Sequence, residues 1–114
     1  MNEIIYKVAR ASEWASACEA RVFNGSADDI RDGFIHLSRA GQLRATLEKH
    51  FAGENALLLV ALDASGFGPE LKWETSRGGE NFPHLYGPLK LTSVRSVTPI
   101  HRNCEGRPIL PSDI

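Results

Sequence analysis

Two short segments of the chain concentrate the side chains that could do chemistry. Residues 32–38 read Asp-Gly-Phe-Ile-His-Leu-Ser, and residues 82–87 read Phe-Pro-His-Leu-Tyr-Gly. His36, in the first segment, can act as acid, base, hydrogen-bond donor or ligand near neutral pH, and Ser38 lies two residues later on the same strand face. The pair could therefore hold one ligand. The alternative is that His36 donates to a backbone carbonyl in a packed sheet. Ser38 is expected to cap the following helix in either case.

The second segment combines aromatic and polar side chains with a stiff backbone. His84 and Tyr86 are two residues apart and are bracketed by Pro83 and by Gly87. Proline restricts the backbone and glycine permits unusual angles, so the segment is interpreted as a rigid binding wall. A proline-bracketed turn with no ligand is the alternative.

Glu74 precedes the second segment and lies beside a tryptophan. Burial next to apolar groups would raise the pKa of its carboxyl into the range of a general acid or base. Equally, the side chain could lie on a solvated face and pair with Lys72 or Arg77.

A metal site is the third possibility, since His36, His84 and Glu74 could form a site of two histidines and one carboxylate. Nothing in the sequence fixes their proximity, so no metal ligand is assigned. The chain lacks the phosphate-binding loop, the nucleophile elbow, the His-Glu-x-x-His motif and a Cys-x-x-Cys pair. The common enzyme classes thus lose their usual signatures.

The strands that would position these residues follow from apolar patterns. Residues 56–62 are continuously apolar, which predicts a central strand covered on both faces. Shorter strands are expected over residues 4–8, 34–37 and 71–74, with one bent strand or two short ones over 89–100. Residues 75–81 are expected to form a flexible loop that can close over a site.

Two helices and one possible helical turn complete the prediction. The first helix is expected to be capped by Ser12 and to place Trp14 in the core. The second has an apolar stripe of Leu43, Leu47 and Phe51 and is expected to end at Gly53. Residues 21–33 are predicted to be a loop with a possible single helical turn, and residues 101–114 an irregular tail.

Composition limits the class of protein. The 114 residues suit a single domain, 1–114, and the net charge of −1 argues against bulk nucleic-acid binding. The longest apolar run is far shorter than the roughly 20 residues that span a bilayer, and the start of the chain does not resemble a signal peptide. We therefore expect a cytoplasmic protein without a membrane partner, in which both cysteines are reduced. The sequence leaves the oligomeric state open.

The motifs together resemble one family. The residues that carry the resemblance are Ile4, Tyr6, Lys7, Trp14, residues 32–38, Gln42, Leu43, Glu74 and residues 82–87. They are similar to the bacterial family called domain of unknown function 952, and the similarity spans residues 4–97. The family is grouped with the ADP-ribosyltransferase-like fold. The resemblance thus implies an α+β domain with two packed, mainly antiparallel sheets, two to three helices and a cleft of the kind that holds NAD in active members.

The resemblance also implies roles for individual residues. His36 resembles a histidine that contributes to the site of the RNA 2′-phosphotransferase branch, and Glu74 is the candidate for the late catalytic glutamate. On this interpretation both are catalytic, and Glu74 stabilises the ribosyl group as an N-glycosidic bond breaks. Lys7, at a first-strand position where active enzymes carry a nucleotide-binding side chain, would bind the nucleotide.

The remaining implied contacts are also with the nucleotide. Ser38 would orient the dinucleotide with His36, His84 would form part of the binding wall, and Tyr86 would stack on nicotinamide or adenine. NAD is then a possible substrate, and no firm cofactor is predicted. His36→Ala is expected to abolish binding with a nearly unchanged melting temperature. The competing hypothesis is a non-catalytic module that binds a nucleotide-like ligand or a protein in the same groove.

Overall fold

The structure is a computed structural model that describes residues 3–111 and residue 114, with the backbone alone at residue 77. Its helices are α1 (Ala11–Ala20), α2 (Ala27–Asp32) and α3 (Leu43–His50). Its strands are β1 (Ile4–Arg10), β2 (Val22–Phe23), β3 (Ile35–His36), β4 (Ser38–Arg39), β5 (Leu57–Asp63), β6 (Leu71–Thr75), β7 (Asn81–Leu85), β8 (Leu89–Lys90), β9 (Val94–Arg102) and β10 (Pro108–Ile109).

The largest sheet has five antiparallel strands in the order β10-β9-β5-β1-β4. Its central strand is β5, as the continuous apolar run predicts. Side chains alternate across the sheet, so Leu57 and Leu59 pack into one core cluster while Val60 and Leu62 pack into another. Strand β5 is therefore covered on both faces, which confirms the prediction for residues 56–62.

The second sheet has three strands in the order β3-β7-β6. It brings the two motif segments together, because His36 on β3 pairs directly with His84 on β7. Strands β6 and β7 form a hairpin, closed by a hydrogen bond of 2.9 Å from the Ser76 amide to the Glu80 carbonyl. A separate two-stranded ladder joins β2 to β8 and was not predicted from the sequence.

Helix α1 places Trp14 in the core, 5.7 Å from Phe23 between ring centroids. The prediction that Ser12 caps this helix is wrong. The helix already begins at Ala11, and its N-cap residue Arg10 makes no capping hydrogen bond through its side chain. The Ala11 amide donates instead to the carbonyl of Ala56 at 2.9 Å, so a distant loop supplies the acceptor.

Helix α3 buries Leu43 and Leu47 as its apolar stripe predicts, with Phe51 packed beside them. The prediction that Gly53 ends the helix is wrong, because α3 ends at His50. Gly53, with φ of 74°, belongs to the turn that follows. The guanidinium of Arg102 donates to the carbonyl of Phe51 at 2.9 Å and so satisfies an acceptor beyond the helix end.

The C-terminal segment is more regular than expected. Strand β9 continues to Arg102, and Pro108 and Ile109 return as β10 to pair with it, so residues 101–114 are not an irregular tail. Cys18 and Cys104 are both free and exposed. Within the described part of the chain, no helix has the length and apolar character that a membrane span requires.

The α+β class is confirmed: the strand pairings described above are antiparallel, and three α-helices accompany them. The loop predicted over residues 21–33 contains the single short helix α2, flanked by β2. Of the two alternatives predicted for residues 89–100, one bent strand or two short ones, the structure has two strands, the short β8 and a longer β9.

Candidate functional site

A buried ion pair links the first strand to α2. Lys7 is 4% exposed, and its Nζ lies 2.8 Å from Oδ2 of Asp29, whose side chain is 2% exposed. Nζ also donates to the carbonyl of His36 at 3.1 Å. Burial lowers the pKa of the Lys7 ammonium, although the neighbouring Asp29 carboxylate opposes the shift. Lys7 thus connects β1 to α2 and to the motif segment that contains His36.

Local sequence at the start of α2 positions Asp29. Ser26 caps the helix by accepting from the Asp29 amide at 3.2 Å, and Asp29 Oδ2 accepts from the Ser26 amide at 2.9 Å in return. This reciprocal pair is a capping box. Gly25 precedes it with φ of 116°, and a Cβ at this glycine would stand 2.8 Å from the Cβ of Asp29. Only glycine suits this close, left-handed turn.

Asp29 collects donors from three elements. Its Oδ1 accepts from the His36 amide at 3.0 Å and contacts the ring Nδ1 of His36 at 2.6 Å. Burial alone would raise the pKa of the Asp29 carboxyl, but the hydrogen bond from His36 and the charge of Lys7 outweigh it. The pKa is held well below its usual range. Asp29 therefore stays ionised throughout the neutral range.

His36 lies between two carboxylates. Its Nδ1 faces Asp29, and its Nε2 is 3.0 Å from Oδ2 of Asp32 at the end of α2. These partners differ from the backbone carbonyl considered in the sequence analysis. Because these contacts hold α2 against β3, we expect His36→Ala to lower the melting temperature rather than leave it nearly unchanged.

His84, the second motif histidine, is 7% exposed and is held from two sides. The ring of Phe34 stacks on it with centroids 4.1 Å apart and an interplanar angle of 25°. Its Nδ1 lies 2.8 Å from Oε1 of Glu74, and the hydroxyl of Tyr86 donates to the same oxygen at 2.7 Å. Glu74 lies on β6, His84 lies on β7, and Tyr86 directly follows β7.

Of the two environments that the sequence left open for Glu74, the structure is closer to the solvated one, and the pKa of the carboxyl is lowered rather than raised. Hydrogen bonds from Tyr86 and from His84 lower the pKa of its carboxyl, because they stabilise the charged form. The side chain is 38% exposed rather than enclosed by apolar groups. The same contact raises the pKa of the Tyr86 hydroxyl, since ionised tyrosine would face a negative charge.

Ser38 does not cap a helix, contrary to the prediction. It belongs to β4, where it pairs with Tyr6 of β1, and its hydroxyl lies 3.1 Å from the hydroxyl of Thr46 on α3. Gln42 makes the connection at the start of the helix instead. Its side chain accepts from the Arg39 amide at 2.9 Å and donates to the carbonyl of Asn81 at 3.0 Å.

These elements surround a cavity of about 350 Å³. Four residues singled out in the sequence line it: Lys7, His36, Ser38 and His84. Glu74 and Tyr86 do not line the cavity. Glu74 contacts the lining residue His84, and Tyr86 donates a hydrogen bond to Glu74. Further lining residues carry charge or aromatic surface: Asp28, Asp29, Arg31, Asp32, Lys49, His50, Phe51 and Phe82.

Asp29 and Phe34 are central to the site but were not selected from the sequence. The spacing Ser26-x-x-Asp29 is a capping-box signature that could have marked Asp29 as a helix-start residue. No local signal reveals that its carboxylate also meets Lys7. Phe34 shares a strand face with His36, as alternation predicts, with ring centroids 4.6 Å apart.

The metal hypothesis gains no support from this geometry. Within the described residues, no group of three or more histidine, cysteine or acidic side chains is arranged to hold a metal ion. Both ring nitrogens of His36 contact carboxylates, and Nδ1 of His84 contacts Glu74. The site instead offers hydrogen-bonding and proton-transfer groups around a small cavity.

Known proteins resemble this chain in sequence and in fold. The chain matches the family model described as "Protein of unknown function (DUF952)" over residues 8–97. The crystal structure of protein CC0527 from Caulobacter crescentus has 44% sequence identity and a TM-score of 0.90, with 94% of each chain covered. Its solution NMR structure gives 42% identity and a TM-score of 0.86, covering 97% of this chain and 96% of that one. No curated protein matches. The family expected from the two motifs is confirmed, and the chain belongs to the DUF952 family.

Proposed function

We propose that the cavity binds an NAD-type nucleotide and that the fold is of the ADP-ribosyltransferase type. The observation that carries the proposal is the convergence of Lys7, His36, Ser38 and His84 on one cavity of about 350 Å³. These residues come from both motifs and from the first strand. They are the positions to which the family resemblance assigns nucleotide contacts.

The size of the cavity indicates how much of such a ligand it encloses. Small-molecule sites have volumes of about 300–1,000 Å³, so this cavity is at the lower end. It has room for one nucleoside end of a dinucleotide. The lining residues Lys49 and Arg31 supply cationic groups; Lys49 lies in the last turn of α3, and Arg31 is paired with Asp28 and Asp32. The diphosphate would lie near these groups.

The chemistry of the site supports transfer or hydrolysis of the ADP-ribosyl group. In this reaction an N-glycosidic bond breaks through an oxocarbenium-like transition state, and a hydroxyl nucleophile loses its proton. His84 lines the cavity and contacts Glu74, which supports a role for its ring in accepting that proton. His36 and the ionised Asp29 supply a fixed polar wall.

A ligand titration by thermal shift tests the proposal. NAD, ADP-ribose and nicotinamide are each added to wild type, to His84→Gln and to the matched control His101→Gln, whose histidine is exposed on β9. A ligand at 100 times its dissociation constant should stabilise the folded state by about 2.7 kcal/mol. We expect stabilisation in wild type and control and its loss in His84→Gln. Absence of any shift in wild type would refute NAD-type binding.

Turnover decides between an enzyme and a binding module. An enzyme releases nicotinamide from NAD over time, whereas a sensor of the same fold returns the ligand unchanged. Release that depends on His84 supports ADP-ribosyl chemistry. Stable binding without release would assign a non-catalytic role to the same cavity. The cytoplasm is the expected location in both cases.

A further inference from the structure

We infer that His84 presents an unprotonated Nε2 to the cavity as the hydrogen-bond and proton acceptor of the site, with Glu74 and Tyr86 as positioning residues. The inference rests on the proposed function only in assuming that the ligand enters this cavity. It assigns a chemical preference to the ligand as well, since an acceptor at Nε2 selects a hydroxyl group or a water molecule as its partner.

The protonation of the ring follows from the chemistry of its neighbour. An ionised carboxylate can only accept hydrogen bonds, so the contact of 2.8 Å between Nδ1 and Glu74 Oε1 requires the proton to be on Nδ1. Tyr86 donates to the same oxygen at 2.7 Å, which stabilises the carboxylate in its charged form. A neutral ring that carries its proton on Nδ1 has a lone pair on Nε2.

The position of the ring decides where that lone pair is available. His84 lines the cavity, whereas Glu74, which contacts its Nδ1, does not. The Phe34 ring stacks on one face of the imidazole, with the centroids 4.1 Å apart, and restricts its motion on that side. Within the described residues, no side chain is bonded to Nε2. Nε2 is therefore the ring nitrogen that remains for a ligand in the cavity.

The two histidines of the site are thus unequal. Both ring nitrogens of His36 already contact the carboxylates of Asp29 and Asp32, at 2.6 and 3.0 Å. In His84 only Nδ1 contacts a carboxylate, that of Glu74. His84 is consequently the histidine that can accept, although the sequence pointed first to His36.

In hydrolysis of the N-glycosidic bond, His84 accepts the proton that the attacking water loses. Water attacks the ribosyl carbon as the bond to nicotinamide breaks, and the bonding electrons leave with nicotinamide. The proton of the attacking water moves to Nε2 of His84. The resulting imidazolium lies beside the Glu74 carboxylate and then releases the proton to solvent. With an acceptor hydroxyl in place of water, the same proton transfer completes a transfer reaction.

Nitrogen NMR of the histidine rings tests the inference without a substrate. Spectra are recorded on the whole protein at about pH 8, where ordinary histidine side chains are neutral. We expect the His84 ring to show an Nδ1–H signal and a pyridine-like Nε2. A wild-type ring that carries its proton on Nε2 would overturn the inference.

Three variants separate positioning from general structural effects. Glu74→Ala removes the acceptor, so the Nδ1–H form should become the minor tautomer. Tyr86→Phe should change the ratio less, because Glu74 still accepts from Nδ1. Glu80→Ala, an exposed carboxylate in the same hairpin, is the control and should change nothing. An unchanged ratio in Glu74→Ala would refute the positioning role.

Ligand addition distinguishes this inference from the proposed function. A shift of the Nε2 signal on addition of ADP-ribose supports both. The expected tautomer with no response to NAD, ADP-ribose or nicotinamide supports the assignment of Glu74 but refutes the NAD-type ligand. Binding that leaves the Nε2 signal unmoved refutes the acceptor role while retaining the ligand.

Discussion

Removing one partner of the Lys7–Asp29 pair should destabilise the protein strongly. Asp29→Asn leaves the Lys7 ammonium buried without its counter-charge, because the amide offers one uncharged acceptor oxygen to the donors of Lys7, Ser26 and His36. Loss of one partner of a buried pair costs about 3–5 kcal/mol. Lys7→Met leaves the carboxylate with donors from Ser26 and His36, so we expect about 3 kcal/mol there.

The expected change in melting temperature follows from the length of the chain. Unfolding entropy is about 2.1 cal/mol/K per residue, which for 114 residues gives roughly 0.24 kcal/mol/K. A loss of about 3 kcal/mol should therefore lower the melting temperature by roughly 12 °C. Thermal and urea unfolding followed by circular dichroism measure both quantities.

A double-mutant cycle isolates the pair itself. The double variant Lys7→Met with Asp29→Asn removes both charges, and its cost should be smaller than the sum of the single costs by about 1–3 kcal/mol. Asp28→Asn is the matched control, since Asp28 is an exposed neighbour, and it should stay within about 0.5 kcal/mol of wild type. Additive costs for Lys7 and Asp29 would refute the reasoning.

Two further predictions concern the same region. The pKa of Asp29 is depressed in the folded state, so its contribution is complete above the unfolded value of about 3.9 and is lost as the pH falls below it. Acid unfolding should start below about pH 4 and be less steep in Asp29→Asn; an equally steep acid transition would contradict this. Gly25→Ala should cost about 1–3 kcal/mol, because φ is 116° and the new Cβ meets Asp29. Gly41→Ala, with open space around it, should be nearly neutral by urea unfolding, and equal costs for both would count against the clash.

The sequence predicts elements well where the signal is local. The apolar run that becomes β5 and the stripe of Leu43 and Leu47 on α3 are patterns within a few residues. Helix ends were predicted less well, because the backbone N–H and C=O groups near them form hydrogen bonds with residues that are distant in sequence. Ala56 accepts from the start of α1, and Arg102 donates beyond the end of α3.

The site shows the same division. The motifs marked His36 and His84, and strand alternation placed Phe34 beside His36. The pairing of β3 with β7 sets the two histidines opposite each other, and strand pairing over such a separation leaves no local trace. The sequence left two environments open for Glu74 for that reason, since its partners His84 and Tyr86 meet it only in the finished hairpin.

The assembly of the cavity from distant parts of the chain has a consequence for its dynamics. Lys7 comes from the first strand, Asp29 from the second helix and His84 from the seventh strand, so no excised fragment contains the site. Such non-local contacts form late and depend on the whole topology. A bound ligand should accordingly slow amide hydrogen exchange in the slowest, globally exchanging positions of β1 and β5, as well as in the nearby loops. Ligand binding in the cavity would then be detectable as slower amide exchange at the centre of the five-stranded sheet.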